Sequence, residues 1–248
     1  KNITFSIHVH IGLNDKDKLV SVTNTLRRWI PPLLALSTNS PFFEGQNTGM
    51  LSSRTFQFSL FPRTEIPSFL NSYKDYEEII NKYIETKTIS KPRQIWWKIR
   101  PHYDYKTIEF RVCDVQRSLQ NTEMIISLVQ SLVRSIIINN DYNHDYCYEY
   151  LTDGLWKASS KNFSCKIIDP YDSKLVSMEE MINRMIAYSK NSLEYFGNSH
   201  VIKTVQNIIK NGTEANNQIK VYDKHGFKKL KKYLMTSVDY EYKRRNYV

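Results

Sequence analysis

The chain has 248 residues, 41% of them hydrophobic, which is enough apolar material for one large domain with a substantial core. No run approaches the roughly 20 consecutive apolar residues of a membrane helix, and the opening residues lack a secretory layout, so a cytoplasmic location is expected. The formal charge of +10 favours a polyanionic partner, but with much of it in "KKLKK" and "YKRR" and no nucleic-acid-binding motif beside it, nucleic acid is not the expected one.

The first element is "FSIHVHIG". Strict alternation places Phe5, Ile7, Val9 and Ile11 on a core face, and Ser6, His8, His10 and Gly12 on the other, with the two imidazoles roughly 7 Å apart at strand spacing. A helix follows over "DKDKLVSVTNTLRRWIPPLLALSTNS", with Leu19, Val22, Leu26 and Trp29 in register and the Pro31-Pro32 pair breaking or kinking it. "PFFEGQNTGMLSSR" reads as a polar loop, "FQFSLF" as a strand, and "YKDYEEIINKYIET" as an amphipathic helix with Tyr76, Ile79, Ile80 and Tyr83 inward. "QIWWKIRP" and "TIEFRVCD" read as two strands. Trp96 and Trp97 are expected to pack their strand rather than stack on a base.

Residues 122–138 make the strongest helix, and "DGLWKASS" opens or runs through another. Ser177 and Glu180 form a capping-box pattern for a helix that ends near Gly197. Met178, Met181 and Met185 are expected to fill its core face. Two further helices cover "SHVIKTVQNIIKNG" and "HGFKKLKKYLMTSVDYEYK". Three cysteines, Cys113, Cys147 and Cys165, show no C-x-x-C spacing and suit neither a disulfide framework nor a zinc knuckle, so free thiols are expected. The seven glycines include no P-loop, so a bound nucleotide would need side chains and metals to hold its phosphates.

Chemistry concentrates on the polar faces of the strands. In "TIEFRVCD" alternation sends Ile108, Phe110 and Val112 inward, and Thr107, Glu109, Arg111 and Cys113 to the opposite face. A buried carboxylate needs a partner, a metal or a ligand. For Glu109 that is a structural ion pair with Arg111 or Arg100, or a functional site; for the histidines it is packing and hydrogen bonding, or ligation. If the two strands are neighbours in one antiparallel sheet, His8, His10, Glu109 and Arg111 share a surface with Arg100 beside them. Imidazole and carboxylate with guanidinium forks are what metal-bridged phosphates require. A zinc site is less favoured because no H-E-x-x-H spacing supplies a third ligand, and His102, His144, His200 and His225 stand in plain contexts. On this reading Glu109→Gln is expected to stop metal-dependent turnover while leaving folding nearly intact.

Six blocks in order, "FSIHVHIG", "LALSTNSPFFEGQNTGMLSSR", "FPRTEIP", "IWWKIRP", "TIEFRVCD" and "NGTEANNQ", spanning residues 5 to 218, closely resemble the carboxylate-amine ligases related to type 2 glutamate-cysteine ligase. The resemblance implies a glutamine synthetase-like α+β fold: residues 1–248 as one catalytic domain, a curved antiparallel sheet with a concave active-site face, backed by helices. It implies joining of a carboxylate, typically glutamate, to an amine such as cysteine, with ATP and Mg²⁺ or Mn²⁺, through an acyl phosphate. His8 and Glu109 resemble metal ligands and His10 a contact to the nucleotide phosphates. Arg111 resembles the arginine that grips substrate carboxylate or transferring phosphate. Arg54 and Arg100 look like further anion contacts, and Thr48 and Ser53 could offer hydroxyls to phosphate.

Three departures bear on substrate choice. Lys98 stands where the family usually has aspartate; Glu214 and Asn217 replace a glycine and an arginine in a loop expected to border the site. The family also carries about a third more chain ahead of the histidine strand, including a G-x-E-x-E strand that has no counterpart in this sequence. The expectation is therefore a C-terminal two-thirds of the usual chain: a truncated or cleaved piece, one half of a split enzyme, or a degenerate homologue. A homo-oligomer or a complementing N-terminal chain is the protein partner to expect.

Overall fold

The computed structural model describes residues 4–161 and 163–245, with side chains as far as Met235, so the basic groups of "YKRR" lie outside the described side chains. β1 (Val9–Gly12) leads into α1 (Lys16–Leu26), whose start is fixed by Asp15, the carboxylate accepting from the Asp17 and Lys18 amides. A 3₁₀ turn at Arg27–Trp29 separates α1 from α2 (Ile30–Ser37). The proline pair breaks the helix as its sequence predicts and lies in the first turn of α2, where a missing amide forfeits no intrahelical bond. β2 (Phe42–Phe43) and β3 (Gln46–Asn47) form a short hairpin inside the segment read as loop.

The predicted strand "FQFSLF" is instead helical, α3 (Ser53–Ser59). Helix and following turn bring Phe58 and Phe61 onto Trp96, with ring centroids 6.0 and 6.2 Å away. α4 (Tyr73–Glu85) is capped by Ser72, which accepts from the Asp75 amide, and buries Tyr73, Tyr76 and Ile80. Ile79, expected inward, is exposed because that buried stripe passes along one side of it. β4 (Ile99–Pro101) and β5 (Thr107–Phe110) are shorter than read; all of "QIWWK" precedes the strand.

α5 (Leu119–Ile138) starts at the Ser118 cap and packs against α1, α7, α8 and β1. By length and composition it could cross a bilayer, but Met124, Leu128, Leu132 and Ile136 are fully buried in this core. α6 (Tyr148–Ser160) packs on α2, and the hairpin of β6 (Lys166–Ile168) and β7 (Leu175–Ser177) escaped the sequence reading. Ser177 caps α7 (Met178–Tyr195) by accepting from the Glu180 amide at 3.0 Å, and Met178, Met181 and Met185 are buried as expected. α8 (Val201–Asn211) ends at Gly212. α9 (Glu214–Arg245) begins earlier than read and is interrupted at Gly226, whose φ of 70° lies where a side chain would be strained. The three cysteines are free; burial pushes the Cys113 thiol up to about 11.

Among the described residues the site-bearing sheet has three strands, in the order β1-β5-β4 and all antiparallel, smaller than the curved sheet the resemblance implies. Its apolar face, with Val9, Ile99, Ile108 and Phe110 buried, meets the helices.

One ion network ties the helical layer to the β6–β7 hairpin. Asp169 is fully buried; Oδ1 accepts from Arg28 Nε at 2.8 Å, and Oδ2 from Arg28 Nη2 at 2.6 Å and Arg184 Nη1 at 2.8 Å. Removing Asp169 leaves the largely buried Arg28 guanidinium without its counter-charge, while Arg184 keeps Asp172 and Glu180. Asp169→Ala is expected to cost about 3–5 kcal/mol in urea unfolding, and a loss below about 1 kcal/mol would reduce the network to decoration.

Candidate active site

The alternation read in "FSIHVHIG" places Val9 in the core, packs Ile7 and Ile11 against it, and turns His8 and His10 to the other side. Phe5 departs from the pattern and is 70% exposed, because continuous pairing begins only at Val9 and the chain before it touches the sheet through an isolated bridge, Ser6 to Asp114. The ladder then sets three side chains abreast: His10 pairs with Glu109, and Glu109 with Arg100. A second row is built from His8 in β1's lead-in, Arg111 after β5, and Lys98 before β4; the Arg111 amide donates to the Lys98 carbonyl at 2.8 Å.

Glu109 is the hub. It is 2% exposed, and Oε2 accepts from Arg100 Nε at 2.7 Å while Oε1 accepts from Arg111 Nη1 at 2.5 Å. His8 Nδ1 lies 3.1 Å and His10 Nε2 3.7 Å from the same Oε1. Burial alone would raise the carboxyl, but the His8 hydrogen bond and the charges of Arg100 and Arg111 outweigh it, holding Glu109 well below the usual carboxylate range. His8 Nε2 faces Ser6 Oγ at 3.0 Å, while its Nδ1 faces Glu109. Arg111 Nη1 lies 3.3 Å from His8 Nδ1 and donates to Glu109 Oε1.

His10 Nδ1 meets Thr107 Oγ1 at 3.0 Å, and burial is the largest influence on its ring, lowering its pKa against the pull of Glu109. A third imidazole joins here. His102, passed over in the sequence, sits with its ring 5.6 Å from His10, and its Nδ1 accepts from the Asp104 and Tyr105 amides. Burial lowers its pKa as well, with Arg100 adding to the effect. Its signal was the same alternation, Lys98, Arg100, His102, extended one step past Pro101.

The remaining candidates lie at the Arg111 end. Arg54 is 6% exposed; its Nε donates to Asp114 at 2.5 Å and its Nη2 to the Val112 carbonyl. It lines a cavity of about 260 Å³ with Ser53, Asn39, Gln57, Asp114, Phe5 and Phe43. Thr48 is exposed near the β2–β3 hairpin, donates to the Pro41 carbonyl and does not line that cavity. Asp114, absent from the sequence reading, accepts from Asn39 N, Ser40 Oγ, Ser52 Oγ and Arg54 Nε and organises the whole loop. Trp97 packs near Tyr76 and Trp96 near Phe58. Glu214 pairs with Arg117 and accepts from the Tyr233 hydroxyl, fastening α9, and Asn217 is exposed.

For a divalent cation the donor chemistry fits in part. Two imidazole nitrogens converge on one carboxylate oxygen, but both Glu109 oxygens also hold arginines, and among the described residues no group of three or more His, Cys, Asp or Glu side chains completes a metal cluster.

The site thus sits on an α+β fold: a helix-backed antiparallel sheet with imidazole, carboxylate and guanidinium groups on its open face. The model of glutamate-cysteine ligase family 2 matches residues 1–234, and the chain belongs to that family. It is 32% identical over 243 residues to the putative glutamate–cysteine ligase 2 of Solibacter usitatus, covering 96% of this chain and 63% of that protein. The counterpart from Gloeobacter violaceus is 32% identical over 88% of this chain and 59% of its own length. The chain thus spans about 60% of the length of the curated relatives it matches. The solved glutamate–cysteine ligase of Francisella tularensis, in complex with AMP, superposes over 90% of this chain and 57% of that one with a TM-score of 0.66 at 11% identity, a likeness of fold.

Proposed function

We propose that this chain carries the catalytic face of an ATP-dependent carboxylate-amine ligase, joining glutamate to cysteine or another amine. The observation behind this reading is the convergence of His8 and His10 on Glu109 Oε1 between Arg100 and Arg111, in a chain of this family. His8 and Glu109 would hold Mg²⁺ or Mn²⁺, which when bound neutralises charge on the nucleotide phosphates. His10, Ser53, Arg54 and Thr48 are assigned to the nucleotide. Arg100 and Arg111 present guanidinium groups to the substrate carboxylate and to the phosphoryl group as it moves.

In the reaction a carboxylate oxygen attacks the γ-phosphorus and ADP leaves, giving an acyl phosphate. The amine nitrogen then attacks the acyl carbon, phosphate departs and the nitrogen loses its proton to solvent or base. Catalysis is mostly positioning and charge stabilisation. The chain spans about 60% of the length of the relatives it matches, and site residues that it does not carry are assigned to a complementing segment.

The engagement of both Glu109 oxygens by arginines supports a second reading, a relative that binds nucleotide without turning it over. Phosphate release from ATP, measured with glutamate and a panel of amines, separates the two. Amine-dependent release is the expected result; ATP binding without release selects the second reading, and steeply salt-dependent nucleic-acid binding with no response to ATP would remove both.

A further inference from the structure

Lys98 is the cation of the polar face that no ion pair accounts for. Alternation along β4 sets it on the same side as Arg100, and the ladder sets it opposite Arg111. Its side chain is 2% exposed. The ammonium has three protons to place and makes one long hydrogen bond, to Ser59 Oγ at 3.4 Å, with the Phe58 ring 5.7 Å away. Among the described residues no carboxylate lies within 4.0 Å of it.

The neighbourhood shares this imbalance. Arg111 Nε is buried without a partner, its Nη1 being engaged by Glu109. Arg54, Lys98, Arg100 and Arg111 are all buried or nearly so, against only Glu109 and Asp114 as the carboxylates that pair within the cluster. Buried charge in excess of its counter-charge is unfavourable unless something brings the missing anion. Burial, followed by the charge of Arg54, pushes the Lys98 amine down to about 8, and the charges of Glu65 and Asp114 do not restore it.

We infer that Lys98, Arg54 and the unpartnered Nε of Arg111 form a buried subsite for one anionic group, a carboxylate or a phosphate, carried by a bound substrate. Arg54 reaches a cavity of about 260 Å³ that it lines with Asp114 and that Phe5, Phe42 and Phe43 wall; Lys98 and Arg111 do not line it. The inference rests on the ligase reading for the identity of the molecule that bears the group, and on the charge arrangement alone for the subsite. Lys98 is then a specificity residue: it favours a substrate with an anion at this position over one with an amine there.

The test uses the full chain, Lys98→Met and Lys98→Arg, with inorganic phosphate, glutamate and ATP as separate probes, followed by thermal shift and calorimetry. Phosphate or glutamate is expected to raise the wild-type melting temperature. Lys98→Met should weaken that binding on the order of tenfold to a hundredfold, while Lys98→Arg retains most of it. Free Lys98→Met should melt at least as high as wild type, since it removes an unmatched buried charge. A response to phosphate alone assigns the subsite to a phosphoryl group, and to glutamate alone a carboxylate; either supports it. No wild-type response to either probe overturns the inference, as does a Lys98→Met variant that binds normally or melts lower with binding unchanged. A wild type that answers phosphate but neither binds nor hydrolyses ATP keeps the subsite and removes the ligase reading.

Discussion

Glu109→Gln is expected to abolish amine-dependent phosphate release and, at the same time, to destabilise the fold by about 3–5 kcal/mol, a large share of the 5–15 kcal/mol typical of a domain. The loss of turnover follows from the proposed function, because the carboxylate is the group on which both imidazoles converge. The destabilisation follows from packing. Glu109 accepts charge-assisted bonds from Arg100 and Arg111, all three side chains largely withdrawn from water. An amide keeps one acceptor but turns its NH₂ toward a guanidinium, leaving two buried cations with no counter-charge. The expectation from sequence alone, that folding survives this change nearly intact, is therefore replaced. Adding Arg100→Met to Glu109→Gln should recover part of the stability without recovering activity, which separates the two effects in one double-mutant cycle. Unfolding in urea that matches wild type would show that the arginines do not depend on Glu109.

Asp114→Asn is expected to be comparably severe, about 3–5 kcal/mol by urea midpoint with little change in m value. Asp114 is 1% exposed, and its two oxygens gather a backbone amide, two serine hydroxyls and the Arg54 guanidinium from a stretch of fifteen residues, 40 to 54, and its neighbour Asn39. Loss of the charge strands Arg54 and releases the segment that walls the cavity. Limited proteolysis should accordingly cut first between residues 40 and 54; unchanged cleavage there would mean the segment is held by other contacts.

What the sequence disclosed was periodic. Long helices announced themselves through spacing and caps, as at Ser177 with Glu180, and the proline pair marked its own break. The polar face was legible for the same reason, since a period of two fixes which side His8, His10, Glu109 and Arg111 occupy once the strands pair. "FQFSLF" failed because six residues fit either period, and contact with Trp96, some forty residues on, decided for helix. Asp114 and Asp169 stayed hidden because Arg54 and Arg28, which they hold, lie 60 and 141 residues away in the chain. A carboxylate after a strand looks the same in sequence whether it faces water or holds a loop together. The β6–β7 hairpin escaped because its strands have three residues each, too few to show alternation.

Among the described residues only β5 is flanked by strands on both sides, with β1 and β4 at the outer positions of the β1-β5-β4 sheet. Amide hydrogen exchange should therefore be slowest in β5 and faster along its two neighbours. The carboxylate at the centre of the cluster is anchored to the strand paired on both sides, whereas His10 and Arg100 ride on strands paired on one side and His8 on the lead-in to β1. An incoming ligand would find a fixed pivot surrounded by adjustable jaws.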